Sequence, residues 1–160
     1  MGSSKTPIAY YLSYNLELPI FNNDAIRTEV REDLLRFDPD EYIARKEKRL
    51  KNLISQKRSF IHDASIDRQW PKFKQSLEEN SYLWFIISIN ISEAFLKKTY
   101  EAKGYTVLDV LPKNIQEHTD FVKNYRDDIG LNIDDDTYPQ RLDLSLKGVE
   151  KWMRENEIKR

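Results

Sequence analysis

The sequence has 160 residues, a length that suits one domain able to bury roughly two-thirds of the surface exposed by the unfolded chain. Its 26 basic and 27 acidic side chains nearly cancel, which excludes a global field that would hold the protein on DNA or on an acidic membrane. The absence of cysteine excludes disulfides and thiolate zinc sites, and the longest apolar run, Tyr82 to Ile89, is too short to cross a bilayer.

Helices and strands alternate along the chain. Periodic apolar residues and capping side chains predict the helices, and short apolar runs predict the strands between them. The strongest strand signal is YLWFIISIN, which is aromatic and β-branched without a polar break, so we expect it to be buried on both faces. In chain order the predicted segments are helix 5–16, strand 18–21, helix 22–37, helix 38–57, strand 59–65, helix 71–80, strand 82–90, helix 92–104, helix 115–128, strand 130–134 and helix 144–156.

This order predicts the fold class. Apolar strands that alternate with helices are typical of a parallel sheet covered on both faces. We therefore predict an α/β fold, a three-layer α/β/α arrangement with a mostly parallel sheet, forming a single domain over 1–160.

The first residues match the second half of a Walker A phosphate-binding loop, G-x-x-x-x-G-K-[ST]. Gly2, Ser3, Ser4, Lys5 and Thr6 stand directly before the first predicted helix. In such a loop the backbone amides and the lysine hold phosphate oxygens, and the threonine hydroxyl ligates magnesium. A serine replaces the last glycine of the motif, and the first glycine is absent. The alternative is that the letters MGSS are a vector-derived leader in front of a domain.

The order of GSSKTPIAYYL, NNDAIR, FIHDASIDR and WFIISINISEAFL resembles P-loop small kinases of the zeta-toxin, gluconate-kinase and polynucleotide-kinase type, ATP-binding kinases related to the AAA proteins. The resemblance runs over nearly all of the chain. It implies an ATP- and Mg²⁺-dependent phosphotransferase with a hydroxyl acceptor. It also implies that the central first strand and the first half of the loop are missing here. We therefore expect the chain as printed to bind ATP weakly or not at all, because the neighbours of that strand would lack backbone partners.

The resemblance assigns roles to specific carboxylates and to an arginine. Asp24 of NNDAIR is implied as the general base toward the acceptor hydroxyl, and Arg27 as a contact to the acceptor. Asp63, at the end of predicted strand 59–65, is implied near the magnesium shell beside Thr6. From the residue pattern alone, Asp24 could instead cap a helix and Arg27 could be a solvated helix residue.

Three neighbouring groups have more than one interpretation. Asp67 and Arg68 are either acceptor contacts or a helix cap with a salt bridge. His62 is expected to be a packed strand histidine rather than a catalyst. The acidic run 134–136 is expected to form a turn rather than a cation site.

The resemblance also implies a lid over the nucleotide, in a segment around 97–118. Lys97, Lys98 and Lys103 are its candidate cations, and the arginines expected there are lacking. A second basic run, in 45–58, could hold a nucleic-acid end, but the absence of interleaved aromatic residues favours an exposed helix face.

These observations lead to one expected function and two alternatives. We expect a cytoplasmic kinase whose partners are a nucleotide and a small hydroxyl-bearing molecule, with a nucleic-acid end as the less favoured acceptor and no membrane partner. The first alternative is a non-catalytic nucleotide-binding or protein-interaction domain that keeps the P-loop scaffold. The second is a plain α/β interaction domain in which the resemblance is accidental.

Overall fold

The computed structural model describes residues 5–104 and 111–158. Each predicted helix and strand has a counterpart there, with ends shifted by up to a few residues. The predicted loop residues Gly2, Ser3 and Ser4, and part of the predicted lid, lie outside the described residues. In chain order the elements are α1 Lys5–Leu16, β1 Ile20–Asn22, α2 Asn23–Leu34, α3 Pro39–Ser55, β2 Ile61–Asp63, α4 Trp70–Glu79, β3 Ile86–Ile89, α5 Glu93–Ala102, α6 Leu111–Asn124, β4 Ile129–Ile133 and α7 Arg141–Glu155.

Several helix ends lie where the capping residues predict them. The side-chain oxygens of Asn22, Asp38 and Ser92 accept backbone N–H groups of the following first turns at 2.7–3.1 Å. This satisfies donors that have no partner within the helix. Gly104, which follows α5, adopts a left-handed φ of 68°, a conformation that favours glycine after a helix.

The predicted continuous sheet is wrong. The four strands form two separate parallel pairs, β1 with β2 and β3 with β4. Helices account for 65% of the structure and no strand exceeds five residues, so the three-layer α/β/α fold class is also wrong. The physical reason lies between β2 and β3, which both line a cavity of about 850 Å³. No described segment forms a strand there that could give backbone partners to both.

The prediction for strand 82–90 is wrong in extent and in burial. Only Ile86–Ile89 pairs as β3, and residues 82–85 are not part of the strand. Leu83 is 56% exposed, and within β3 only Ser88 is fully buried. An uninterrupted apolar run therefore did not mean a strand enclosed on both faces.

Two apolar clusters hold the strand pairs and orient the residues that follow them. One joins Ile8, Leu12 and Leu16 of α1 to Met153 of α7, with side chains of β2 and β3 against it. The other is built on Trp70, in contact with residues of α4, α6 and β4. Because α1 packs on both α7 and β2, its N-terminal turn is fixed beside the last residue of β2. None of the helices in the described ranges combines the length and apolar character needed to cross a membrane.

Candidate functional site

The site begins with a hydroxyl, an amide and a carboxylate that come from three different elements. Thr6, in the first turn of α1, donates from Oγ1 to Oδ2 of Asp63 at 2.9 Å. Asn22, the last residue of β1, donates from Nδ2 to the same oxygen at 3.0 Å. The structure thus brings together Thr6 and Asp63, which are 57 positions apart in the sequence.

Lys5 lies beside this pair in a region rich in carboxylates. Burial lowers the pKa of the Lys5 ammonium, and the negative charges of Asp63, Asp67 and Asp24 act in the opposite direction. Lys5, Asp63 and Asp67 also line the cavity between β2 and β3. The three predicted site residues Lys5, Asp24 and Asp63 are therefore close enough to interact electrostatically.

Asp24 does not cap helix α2, although the sequence pattern allowed that role. The N-cap of α2 is Asn22, whose Oδ1 accepts the backbone N–H groups of Asp24 and Ala25 at 2.7 and 3.1 Å. The alternative in which Asp24 caps the helix is therefore wrong. Its own side chain is exposed at the second helical position and accepts no hydrogen bond from another described residue. This leaves its carboxylate available for a proton.

Arg27 is directed toward aromatic rings and not toward the Thr6–Asp63 pair. Its guanidinium lies 5.3 Å from the ring centre of Phe37 and 5.4 Å from that of Tyr42. Such cation–π contacts hold an exposed guanidinium on a preferred side of the helix. The structure gives Arg27 no contact with Thr6 or Asp63, so its predicted role toward the acceptor stays a prediction.

Two further cations, Lys103 and Arg141, come from the half of the chain that contains β3 and β4. The pKa of Lys103 is lowered by burial and then by the positive charges of Lys5 and Arg141. Lys103 follows α5, and Arg141 opens α7 directly after the loop that leaves β4. The sequence analysis missed Arg141, because no motif marks it and it lies eight positions after the end of β4. Of the other predicted lid cations, Lys97 pairs with Glu93 on its own helix at 2.7 Å.

We call the charged residues that meet here the strand-end cluster: Lys5, Asp24, Asp63, Asp67, Lys103 and Arg141. Asp24 follows β1, Asp63 ends β2 and Asp67 follows it, whereas Lys103 lies at the end of α5 and Arg141 begins α7. Lys5 interacts electrostatically with the acidic members and with Lys103. The cluster therefore has an acidic side and a basic side.

The residues present fit a magnesium ion. Magnesium is bound in proteins through one or two carboxylates, with phosphate oxygens and water as its other ligands. Thr6 and Asp63 offer a hydroxyl and a carboxylate oxygen 2.9 Å apart at one place. Within the described ranges, no group of three or more histidine and carboxylate side chains is arranged to hold a metal ion without other ligands.

A histidine network supports one wall of the cavity. Asp67 Oδ2 lies 3.3 Å from Nδ1 of His118, and the other ring nitrogen lies 3.2 Å from Oγ of the buried Ser88. This connects the loop after β2 with α6 and β3. The cap of α4 is Gln69 and not Asp67, so the cap interpretation of Asp67 is wrong. Arg68 does form the alternative salt bridge, to Glu117 at 3.1 Å.

The structural interpretations of His62 and of the acidic run 134–136 are confirmed. Both ring nitrogens of His62 are buried without a hydrogen-bond partner, and the ring packs against Phe21 and Phe73. Asp134 closes a turn by accepting the backbone N–H of Thr137 at 2.9 Å. Neither residue belongs to the strand-end cluster.

Comparison of the chain with known protein families, with curated proteins and with solved structures finds no match. The interpretation of the site therefore depends on its own geometry. That geometry places the Thr6 hydroxyl and the half-buried Lys5 ammonium, both in the first turn of α1, beside the carboxylate at the end of β2.

Proposed function

We propose that this protein transfers the γ-phosphoryl group of Mg-ATP to a hydroxyl group of a small molecule. The observation that supports this most directly is the Thr6–Asp63 hydrogen bond of 2.9 Å beside the half-buried Lys5. Phosphoryl transfer needs positioning and charge neutralisation more than covalent chemistry from the protein. A cation, a magnesium-binding pair and an available carboxylate provide the groups for both tasks.

Each residue has a separate task in this proposal. Lys5 binds phosphate oxygens, which suits a half-buried ammonium because partial exclusion of water strengthens its attraction for anions. Thr6 and Asp63 hold the magnesium ion, which when bound neutralises charge on the phosphates. Asp24 orients the acceptor hydroxyl and takes its proton.

The bonds and protons balance without any further reactant. A bond forms between the acceptor oxygen and the γ-phosphorus, and the bond from that phosphorus to the bridging oxygen of ADP breaks. The bridging oxygen keeps the electron pair, and the proton of the acceptor passes to Asp24. Its exposed carboxylate then releases that proton to water.

The setting that suits this reaction is the cytoplasm, where Mg-ATP is abundant. A chain with no cysteine is compatible with a reducing compartment. The acceptor remains defined only by its hydroxyl group, because specificity in such sites comes from the surrounding loops.

The test separates catalysis from binding alone. Mg-ATP binding is followed by isothermal titration, and transfer of radiolabelled phosphate is followed over a panel of sugars, nucleosides and amino alcohols. We expect Lys5→Gln to lose both activities and Asp24→Asn to lose transfer while keeping binding. Lys72→Gln, which removes an exposed lysine from α4, is the matched control and should behave as wild type.

Two outcomes would contradict the proposal. If Asp24→Asn transfers phosphate as well as wild type, Asp24 is not the base. If Mg-ATP binds but no acceptor is phosphorylated, the protein is a nucleotide-binding domain without catalysis.

A further inference from the structure

Strand β2 bonds to β1 along one edge and has no described backbone partner along the other. The N–H of Ile61 donates to the carbonyl oxygen of Pro19 at 2.9 Å, on the side of β1. Backbone groups of successive strand residues point alternately to the two edges. The N–H and C=O of His62 therefore point away from β1, where no described backbone group bonds to them.

Strand β3 has a free edge for the same reason. The N–H of Asn90, directly after β3, donates to the carbonyl oxygen of Ile133 in β4 at 2.7 Å. By this alternation, the backbone groups of Ser88 also face β4, whereas those of Ile87 and Ile89 face away from it and have no described backbone partner. The cavity is lined by β2 and β3 and by no residue of β1 or β4, so the two free edges face it.

The cavity is apolar on two opposite faces. One face is the cluster that joins α1 to α7, and the other is the cluster built on Trp70. Successive residues of β3 divide between them, because Ile86 packs against the second cluster and Ile87 against the first. Side chains of a strand alternate between the two faces of its sheet, so the clusters lie on either side of the space between β2 and β3. A chain that passes through this space is therefore covered by apolar side chains on both faces.

We propose that the cavity between β2 and β3 binds an extended apolar segment of a partner protein, which pairs as a strand with both free edges. A small apolar molecule could fill the volume, but it would leave the backbone groups of both edges without partners. A further strand offers donors and acceptors along both of its own edges, and it continues the two existing parallel pairs. Strand insertion is independent of phosphate transfer, because it uses backbone groups and none of the charged side chains.

The dimensions and lining of the cavity define the partner segment. Strand β2 has three residues and β3 has four, so a segment of about five residues, roughly 16 Å long, spans both edges. Since both of its faces meet apolar clusters, we expect an uninterrupted run of β-branched residues without charges. Helix α4 connects the end of β2 to the start of β3, a connection typical of parallel strands, and we expect the inserted segment to run parallel to both.

The probe is a synthetic peptide of about five alternating valine and isoleucine residues, with lysines at each end for solubility and with blocked termini. It is titrated into the full chain. All 3 tryptophans of the sequence line the cavity, so their fluorescence reports when the cavity is filled. We expect a saturable change in that fluorescence.

Amide hydrogen exchange tests whether the peptide pairs with both edges. We expect exchange at His62, Ile87 and Ile89 to slow by about tenfold or more in the complex, because each N–H gains an acceptor. The amides of Ile61 and Asn90 already donate within the free protein and serve as internal controls. Their exchange should change less.

The control peptide carries N-methyl groups at alternate residues, which removes its donors to one edge and keeps its apolar side chains. It should bind about tenfold more weakly. In the protein, Ile87→Asp places a charge beside the inserted segment and should weaken binding by a similar factor. Ile43→Asp, at an exposed position of α3 outside the cavity, is the matched control and should bind the peptide as wild type. Circular dichroism checks that each variant is folded, and the two peptides carry the test if Ile87→Asp unfolds.

Several results would overturn strand insertion. Equal binding of the two peptides would mean that apolar side chains fill the cavity without strand pairing. Binding that leaves exchange at His62, Ile87 and Ile89 unchanged, binding that Ile87→Asp does not weaken, or no binding at all would also contradict it. If these amides become protected in the chain alone as its concentration and its mass by sedimentation rise together, a second copy fills the cavity and no separate partner is needed. Protection at both edges with a weaker N-methylated peptide supports the proposal, whether or not the protein transfers phosphate.

Discussion

Acidic and basic side chains meet in two parts of this protein, and the two parts are built differently. On α2 and α3, Arg45 bonds to Glu29 at 3.0 Å, to Glu41 at 2.6 Å and to Asp33, and Arg49 bonds to Glu29 at 2.5 Å. We call these five residues the helix ion-pair network. Its cations lie among their acidic partners on two adjacent helices. In the strand-end cluster, by contrast, the charged residues come from several elements, and a half-buried lysine lies in the field of three carboxylates.

The difference shows how a charge run can be distinguished from a site. Exposed ion pairs between adjacent helices neutralise each other locally and contribute little to stability. Like charges brought together from several elements oppose folding, and such arrangements are found where a ligand compensates them. The basic run in 45–58 is thus better explained as a structural surface. Lys5, which lies beside the hydrogen-bonded Thr6 and Asp63, carries the stronger indication of binding.

The largest effect should come from Lys5→Met. We expect phosphate affinity to fall by about 100-fold, as when one partner of a buried charge pair is removed. Stability should be unchanged or raised, because burial lowers the pKa of Lys5 and the ammonium therefore opposes folding at neutral pH. Tripolyphosphate titration and thermal melting measure the two effects. Lys51→Met, an exposed lysine on α3, should change neither, and a stability loss in Lys5→Met would remove the contrast between the two regions.

His62 links the two regions. It directly precedes Asp63 in the sequence, and the positive charge of Lys46 on α3 acts on the pKa of its ring. Burial, assisted by the charge of Lys46, lowers the pKa of His62 from 6.5 to about 4. The unfolded chain therefore takes up a proton first, and stability should fall as the pH drops from 6.5 toward 4. The loss attributable to this ring is about 2–3 kcal/mol.

The variant His62→Phe should lose that part of the acid sensitivity. Urea unfolding at several pH values measures it, and NMR titration of the ring protons gives the pKa directly. The chain has 2 histidines, so the variant also assigns the signal. An ordinary pKa for His62 in the folded protein would contradict the prediction.

Asp63→Asn should have an intermediate effect. The amide can still accept the hydrogen bond from Thr6, but it removes the charge that favours both magnesium and the Lys5 ammonium. We expect Mg-ATP affinity to fall by about tenfold and tripolyphosphate affinity without magnesium to change little. Asp40→Asn on α3 is the matched control. Equal losses with and without magnesium would argue against a metal role for Asp63.

The sequence predicted the individual helices and strands better than it predicted how the strands pair. Capping residues such as Asn22 and Asp38 bond to the backbone of the helical turn that directly follows them. A helix start can therefore be predicted from a few adjacent residues. Pairing between β2 and β3 depends on what lies between them, and no property of Ile61 or Ile87 reveals whether a strand fills that space. The continuous sheet was therefore predicted wrongly although every strand was placed.

The residues of the candidate site also differ in how far the sequence could predict them. Lys5, Thr6 and Asp63 could be identified because their residue types match a known chemistry at strand and helix ends. Arg141 could not, since only the fold brings its charge near Lys103, which is distant in the sequence. Arg27 is the opposite case. Its motif predicted a role at the site, but its guanidinium packs on the rings of Phe37 and Tyr42.

The smallest effect should come from Arg45→Gln, and this makes it the sharpest test of the helix ion-pair network. Its three carboxylate partners are all at least one-third exposed, with side-chain exposures of 36%, 53% and 40%, so water can replace the lost bonds. We expect the melting temperature to fall by about 1–2 °C in low salt and less in high salt, because salt screens exposed pairs. Arg49→Gln, which loses one partner, should change less. Binding of tripolyphosphate and of a 5′-hydroxyl oligonucleotide should match wild type in both variants. A salt-dependent loss of oligonucleotide binding in Arg45→Gln would instead make the basic run a nucleic-acid surface, and the distinction between the two regions would fail.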